Sequence, residues 1–416
     1  MATAELSFEQ APPLSVPLRF FYGAPIFLLL AAVLMMFGFD QVFVSRWTPQ
    51  TLALTHLVTA GFMLQVMLGA LFQLMPVAAG ANLWRPHWLV WPVHVGSFAG
   101  ALGLAWGFYA SHGAWLAAGG VLLALAVLVF MLASALALLR TPACGPTVSA
   151  LRLAVLWLGV TVAIGLSMAA ARGGYLGLEP LQWSQVHVAG GLVGWGGLLV
   201  AATAYLVVPM FQLTPSYPAW FSQAFAWALG GALALGAAVA HPMAWIPAVV
   251  MVMGFAVMTL DRQRRRRRAK TDLTLSLWRQ SMSCVLLGGL LSLLVLLGEN
   301  DPRISVAAGV LVLYGAFVSL IAGMLYKIVP FILWLFLQPR LSQVPPMTRM
   351  LNQPLMRWHW WVHSGGLVMA GLAAFWSPMG LGAGVAIGAA GLLLLAQLMR
   401  VGRHAQHALA TLSQPS

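Results

Sequence analysis

Twelve apolar runs, each longer than 18 residues and separated by polar breaks, constrain this chain more than any other feature. They cover approximately 19–40, 50–76, 87–109, 113–139, 150–171, 183–211, 218–240, 242–260, 279–298, 304–337, 358–376 and 379–400. About 20 apolar residues in a helix cross a hydrocarbon core of roughly 30 Å. Inside lipid every backbone polar group must be satisfied within the protein, which leaves a helical bundle as the fold for runs of this length. Composition agrees: 61% of the 416 residues are hydrophobic and 7% are charged, where a soluble domain carries about a quarter charged residues. The expected fold class is all-α, a polytopic membrane bundle of about twelve helices. Residues 1–18 form an N-terminal tail, 19–401 a single membrane domain and 402–416 a C-terminal tail. The polar start lacks the basic segment and small-residue site of a cleavable signal peptide, so the first run is expected to remain as helix 1.

The net charge of +13 and the run Arg264-Arg265-Arg266-Arg267-Arg268 raise nucleic acid as a partner. The positions of the basic residues argue for a lipid bilayer instead, because Lys and Arg collect in cytoplasmic loops and meet anionic headgroups there. With the arginine run placed in the cytoplasm, 17 basic residues fall on that side and only Arg46, Arg172 and Arg303 on the other. Lys327 stays inside a span. The expectation is a multi-pass protein of a bacterial-type inner membrane with both termini cytoplasmic. Cys144 and Cys284 lie far apart, so neither a disulfide framework nor a thiolate metal site is readable.

A short motif recurs. Span 2 ends Phe72-Gln73-Leu74-Met75-Pro76, span 6 Tyr205-Leu206-Val207-Val208-Pro209 and span 10 Tyr326-Lys327-Ile328-Val329-Pro330. The prolines recur every four helices, and Val93-His94-Val95-Gly96 in span 3 is echoed by Val362-His363-Ser364-Gly365 in span 11. Three tandem repeats of four helices follow, at about 19–139, 150–260 and 279–400.

All eight acidic residues fall in tails, loops or span ends, which argues against a proton-coupled pump, since such proteins need an intramembrane carboxylate. Histidines are the exception. His56 and His187 lie 20 and 22 residues before their prolines, at one depth near the outer face, while His94 and His363, with His359 one turn earlier, form an inner layer. Neutral imidazole binds haem iron or copper, and two ligands at one depth would hold a haem between helices. Gly61, Gly190, Gly191, Gly365 and Gly366 would let the flat macrocycle approach the backbone. The competing reading makes each histidine interhelical glue and each glycine a packing device. Lys327 is either functional or snorkels to the cytoplasmic face. Gln65 and Gln73 read as hydrogen-bonding groups to another helix or to a ligand, and Trp358, Trp360 and Trp361 as an interfacial belt or as haem-stacking rings.

These residues resemble subunit I of the haem–copper oxidases, a family of twelve helices in three pseudo-symmetric sets of four. The resemblance implies that His56, in Leu54-Thr55-His56-Leu57, occupies the place of a low-spin haem ligand. It also implies that His187, in Trp183-Ser184-Gln185-Val186-His187, occupies the place of a copper ligand, closest to the cbb3 type. The family's paired histidines on helix 7 and its His-x-His on helix 10 have no counterpart, and Gly191 stands where a tyrosine would follow His187. The resemblance therefore implies an electron-transfer or small-gas (nitric oxide or dioxygen) protein like the NnrS-like membrane haem proteins, with an incomplete binuclear centre. No catalytic residue is identified, and oxygen reduction by this chain alone is not expected. Haem b is the expected cofactor at His56, His187, His94 and His363, copper is a second metal for His56 and His187, and a redox protein is the expected partner. The alternative is a cofactor-free carrier or assembly protein on the same scaffold.

Overall fold

The computed structural model describes residues 7–177, 180–239, 241–268, 272–341 and 344–410. Twelve long helices form the bundle among these residues: α1 Ser15–Val42, α2 Pro49–Ala79, α3 Pro86–Tyr109, α4 Gly113–Arg140, α5 Pro146–Arg172, α6 Trp183–Gln212, α7 Ala219–Ala238, α8 Pro242–Arg264, α9 Leu273–Leu296, α10 Pro302–Leu337, α11 Gln353–Ala373 and α12 Met379–Ala410. Eleven are long and apolar enough to cross a membrane. The exception is α11, which has the length, 21 residues, but carries Gln353, Arg357, His359, His363 and Ser364.

Helix boundaries follow capping chemistry. Thr48, Asp272, Asp301 and Asn352 each accept a first-turn backbone N–H, and a proline follows three of them at the first or second helical position, where its missing donor costs nothing. Gly80, at φ +58°, closes α2 in the left-handed conformation. The tails are shorter than expected, because helix begins at Ser15 and α12 continues to Ala410. Residues 1–6 and 411–416 of those tails, and Lys270 of the basic loop, lie outside the described residues.

Sequential helices pack as neighbours, and α1 packs along α12 to close the ring. That seam is tight because Gly384, Gly388 and Gly391 of α12 lie against Met36, Ala32 and Leu29 of α1, and Gly380 against Phe43 just beyond its end. The second helix of each repeat is the most buried of its set, so α2, α6 and α10 line the interior.

The repeat has a deeper expression than its proline motif. Each of α2, α6 and α10 is interrupted by a π-helical segment, Leu57–Met63, Gly190–Gly197 and Leu311–Val318. All three begin 19 residues before the proline of their helix. The fifth residue of each segment is glycine, and its missing side chain receives a knob from the preceding helix pair: Phe27 of α1 at Gly61, Trp157 of α5 at Gly194 and Cys284 of α9 at Gly315. A Cβ on Gly61 would run into the Phe27 ring. π segments of this kind cluster at functional positions, and the candidate histidines stand beside them.

Candidate functional site

His56 is the last residue before the π segment of α2, and His187 lies three residues before that of α6. Their ring centres are 6.4 Å apart with planes inclined by 24°. Both use Nδ1 against a carbonyl oxygen: His56 with Leu52 O at 2.7 Å and His187 with Thr161 O at 3.0 Å. A carbonyl only accepts, so Nδ1–H donates in each case and Nε2 carries the lone pair. That is the arrangement in which metal-binding histidines are held, with the second nitrogen anchored to fix tautomer and ring orientation. The ring of Phe108, near the end of α3, stacks on His56 at 4.7 Å, and the Arg172 guanidinium lies 5.9 Å from the centre of Phe108.

Three features of this pair escape a reading of the sequence. Thr161 contributes a backbone carbonyl, which leaves no trace in residue identity. Gly165, one turn further along α5, is the surface His187 lies on: a Cβ there would stand 2.7 Å from the imidazole Cε1 and 3.1 Å from Nδ1. Phe108 reads as one more aromatic at a span end. Only the packing of α3 and α5 against the pair distinguishes these residues.

The glycines expected to admit a macrocycle are filled instead. Phe27 occupies the space beside Gly61, Thr161 and Trp157 that beside Gly190, Thr161 that beside Gly191, and Ala386 with Ile387 that beside Gly366; only Gly365 faces open space. The expectation is corrected accordingly, and these four glycines permit close helix packing.

His94 and His363 do not meet. His94 Nδ1 is 3.1 Å from Gln65 Oε1, and Gln65 Nε2 donates to Ser97 Oγ at 2.8 Å. His363 Nε2 is 2.7 Å from Ser319 Oγ, which Gln280 Nε2 approaches at 3.3 Å, while Ser364 Oγ donates to Gln280 Oε1 at 2.8 Å. Gln65 and Ser319 each lie eight residues after the start of their π segment, so the two networks occupy one place in the first and third repeats. Leu198 stands there in the second. Gln65 thus joins α2 to α3, whereas Gln73 Oε1 is buried without a partner among the described residues.

Lys327 Nζ reaches Asp272 Oδ2 at 2.8 Å, so its ammonium is paired at the start of α9. Asp272 also caps that helix through Leu275 N at 2.9 Å. Burial pushes its carboxyl up, but Lys327 and the hydrogen bonds of Leu275 and Thr274 outweigh it, holding the group below the usual carboxylate range. Trp358 and Trp361 are exposed, as an interfacial belt requires, while Trp360 is half-buried. No group of three or more His, Cys, Asp or Glu side chains able to hold a metal ion exists among the described residues. No family model matches this chain, and no curated protein matches it.

Proposed function

We propose that this multi-pass membrane protein binds haem b through His56 and His187 and serves in electron transfer or in handling nitric oxide or dioxygen, with copper as the second candidate for the same pair. One observation carries the reading. Two imidazoles from different repeats stand 6.4 Å apart, each with Nδ1 anchored to a carbonyl and Nε2 left with its lone pair. Two imidazoles bound to one metal through bonds of about 2.0–2.1 Å would have ring centres up to roughly 6 Å apart, so His56 and His187 would be the residues to hold it. The donor set therefore suits a six-coordinate haem iron. Such an iron, when bound, passes between ferric and ferrous states and so accepts or donates one electron.

The chain's own groups do the rest. Leu52 O and Thr161 O hold both rings in one tautomer, Gly165 sets the depth of His187, and Phe108 stacks on His56. The sequence has no counterpart of the paired helix 7 histidines or the helix 10 His-x-His, so the reading is one without a complete binuclear centre, in exchange with a redox partner protein. The basic-residue asymmetry supports placement in a bacterial-type cytoplasmic membrane with both termini inside.

A second reading, a cofactor-free carrier or accessory protein, is favoured by the filled glycines beside His56 and His187. The reduced-minus-oxidised visible spectrum of the detergent-purified protein separates the two, with pyridine haemochrome and copper analysis on the same sample. A b-type α-band at near-stoichiometric haem, lost in His56→Ala and His187→Ala, is expected. A folded, colourless, metal-free protein from cells supplied with haem and copper would sink the cofactor reading.

A further inference from the structure

Helix α11 is the long helix that falls short of the apolarity of a span, and its histidines face inward. His359 and His363 lie one turn apart on one face, 2% and 1% exposed, with ring centres 5.6 Å apart. Tyr326 of α10 packs edge-on to His359 at 5.4 Å, and Tyr314 lies against His363 at 4.5 Å. Four polar aromatic rings thus form one buried column between α10 and α11. His363 Nε2 is engaged by Ser319. Among the described residues, His359 Nδ1 and both tyrosine hydroxyls have no protein partner, which leaves three buried polar atoms unsatisfied.

Packing alone does not call for this. At the corresponding place in the first repeat, His94 is tied into a closed network by Gln65 and Ser97. In the second repeat Leu198 stands where Gln65 and Ser319 stand in the others. The third repeat instead gathers two histidines at the i, i+4 spacing that lets neighbouring imidazoles share one ion and leaves a buried nitrogen free.

We propose that His359 and His363 form a second metal site, selective for copper(I). The separation of 5.6 Å lies inside the roughly 6 Å that two imidazoles on one ion can span. Charge selects the ion. No acidic side chain joins the pair, since no third His, Cys, Asp or Glu groups with it among the described residues. A divalent ion on two neutral ligands would keep its full charge in a low-dielectric interior, where the cost of burying an ion rises with the square of its charge. A monovalent ion carries about one quarter of that penalty. Zinc also demands four ligands, whereas copper(I) accepts two nitrogens, and imidazole is a good copper ligand.

This site does not depend on haem at His56 and His187, and the test keeps the two apart. The parent is the full-length His56→Ala/His187→Ala variant in mild detergent, reduced and titrated with copper(I) against the coloured chelator bicinchoninate. One copper(I) per chain is expected. Adding His359→Gln or His363→Gln weakens it at least about 100-fold, with elution profile and melting temperature close to the parent. Copper-edge X-ray absorption of the loaded parent, which needs no further variant, is expected to show imidazole scattering. No copper(I) retained by the parent, an edge spectrum without imidazole, or copper unaffected in both glutamine variants would overturn the proposal. A colourless wild type that still takes up copper(I) at this site would sink the haem reading alone.

Discussion

Gly165→Ala is the sharpest probe of the histidine pair, because it touches His187 without removing a ligand. The new methyl would begin 2.7 Å from Cε1 of the imidazole, where ordinary contact starts at 3.4 Å, so ring or helix must retreat by about 0.7 Å. The same movement pulls Nδ1 from the Thr161 carbonyl, now at 3.0 Å. Overpacking of one methyl costs about 1–3 kcal/mol, and the weakened hydrogen bond adds about 1 kcal/mol. A loss of the group that orients a metal-binding histidine lowers affinity about 10–100-fold. The assay is haem titration of the apoprotein followed by its α-band, with the midpoint potential and melting temperature taken on the same preparations. Gly197→Ala is the control, since its methyl meets only Leu192 O at 3.6 Å and Val193 Cγ1 at 4.0 Å and touches neither His187 nor Thr161. An alanine at 165 that leaves haem affinity, band shape and potential unchanged in a folded protein would refute His187 as a ligand.

Four other outcomes are expected. Asp272→Asn keeps the helix cap but removes the partner of Lys327, and lowers stability at pH 7 by about 1 kcal/mol after allowance for partial exposure. The folded-state carboxyl is held low, so its stabilisation is present above the unfolded value near 3.9 and fades as pH falls through the folded value. Thermal melts from pH 7 to pH 3 should therefore show a decline below about pH 4 that the Asn variant lacks. Gly61→Ala places a methyl against the Phe27 ring and should cost about 1–3 kcal/mol, partly recovered by Phe27→Leu. Gly315→Ala meets Cys284 Sγ at 2.7 Å, Cys284 Cβ at 3.0 Å and Leu367 Cδ1 at 3.1 Å and should be partly recovered by Cys284→Ala, both read from melting temperature. Finally, Cys144 is exposed and Cys284 buried, so a membrane-impermeant maleimide should label Cys144 in inside-out vesicles and not in right-side-out ones. The opposite pattern would invert the topology.

Much of the scaffold was legible because hydrocarbon imposes simple rules on a chain. Run lengths set the number of helices to within the polar α11, and the recurrence of Pro76, Pro209 and Pro330 marked the repeat that the three π segments make explicit. Helix ends drifted by a few residues, as at Ser15, since the helical ends of α1 and α12 carry polar residues that a hydropathy boundary excludes. His56 and His187 were legible as a pair because depth is a count of residues along a helix, and α2 and α6 carry their π segments at the same register. Which nitrogen is anchored, and by what, was not: Leu52 and Thr161 act through carbonyls, which every residue possesses. The glycines went the other way. Sequence could place Gly61 and Gly190 beside the histidines, but only tertiary packing decided that Phe27, Trp157 and Thr161 fill the space they leave. Lys327 was ambiguous until α9 brought Asp272 to it across 55 residues. Sequence alone determined solvent, helix count and repeat, since these follow from the local match of side chains to lipid. Tertiary structure decided which polar atoms find partners, because that depends on contacts between helices far apart in the chain.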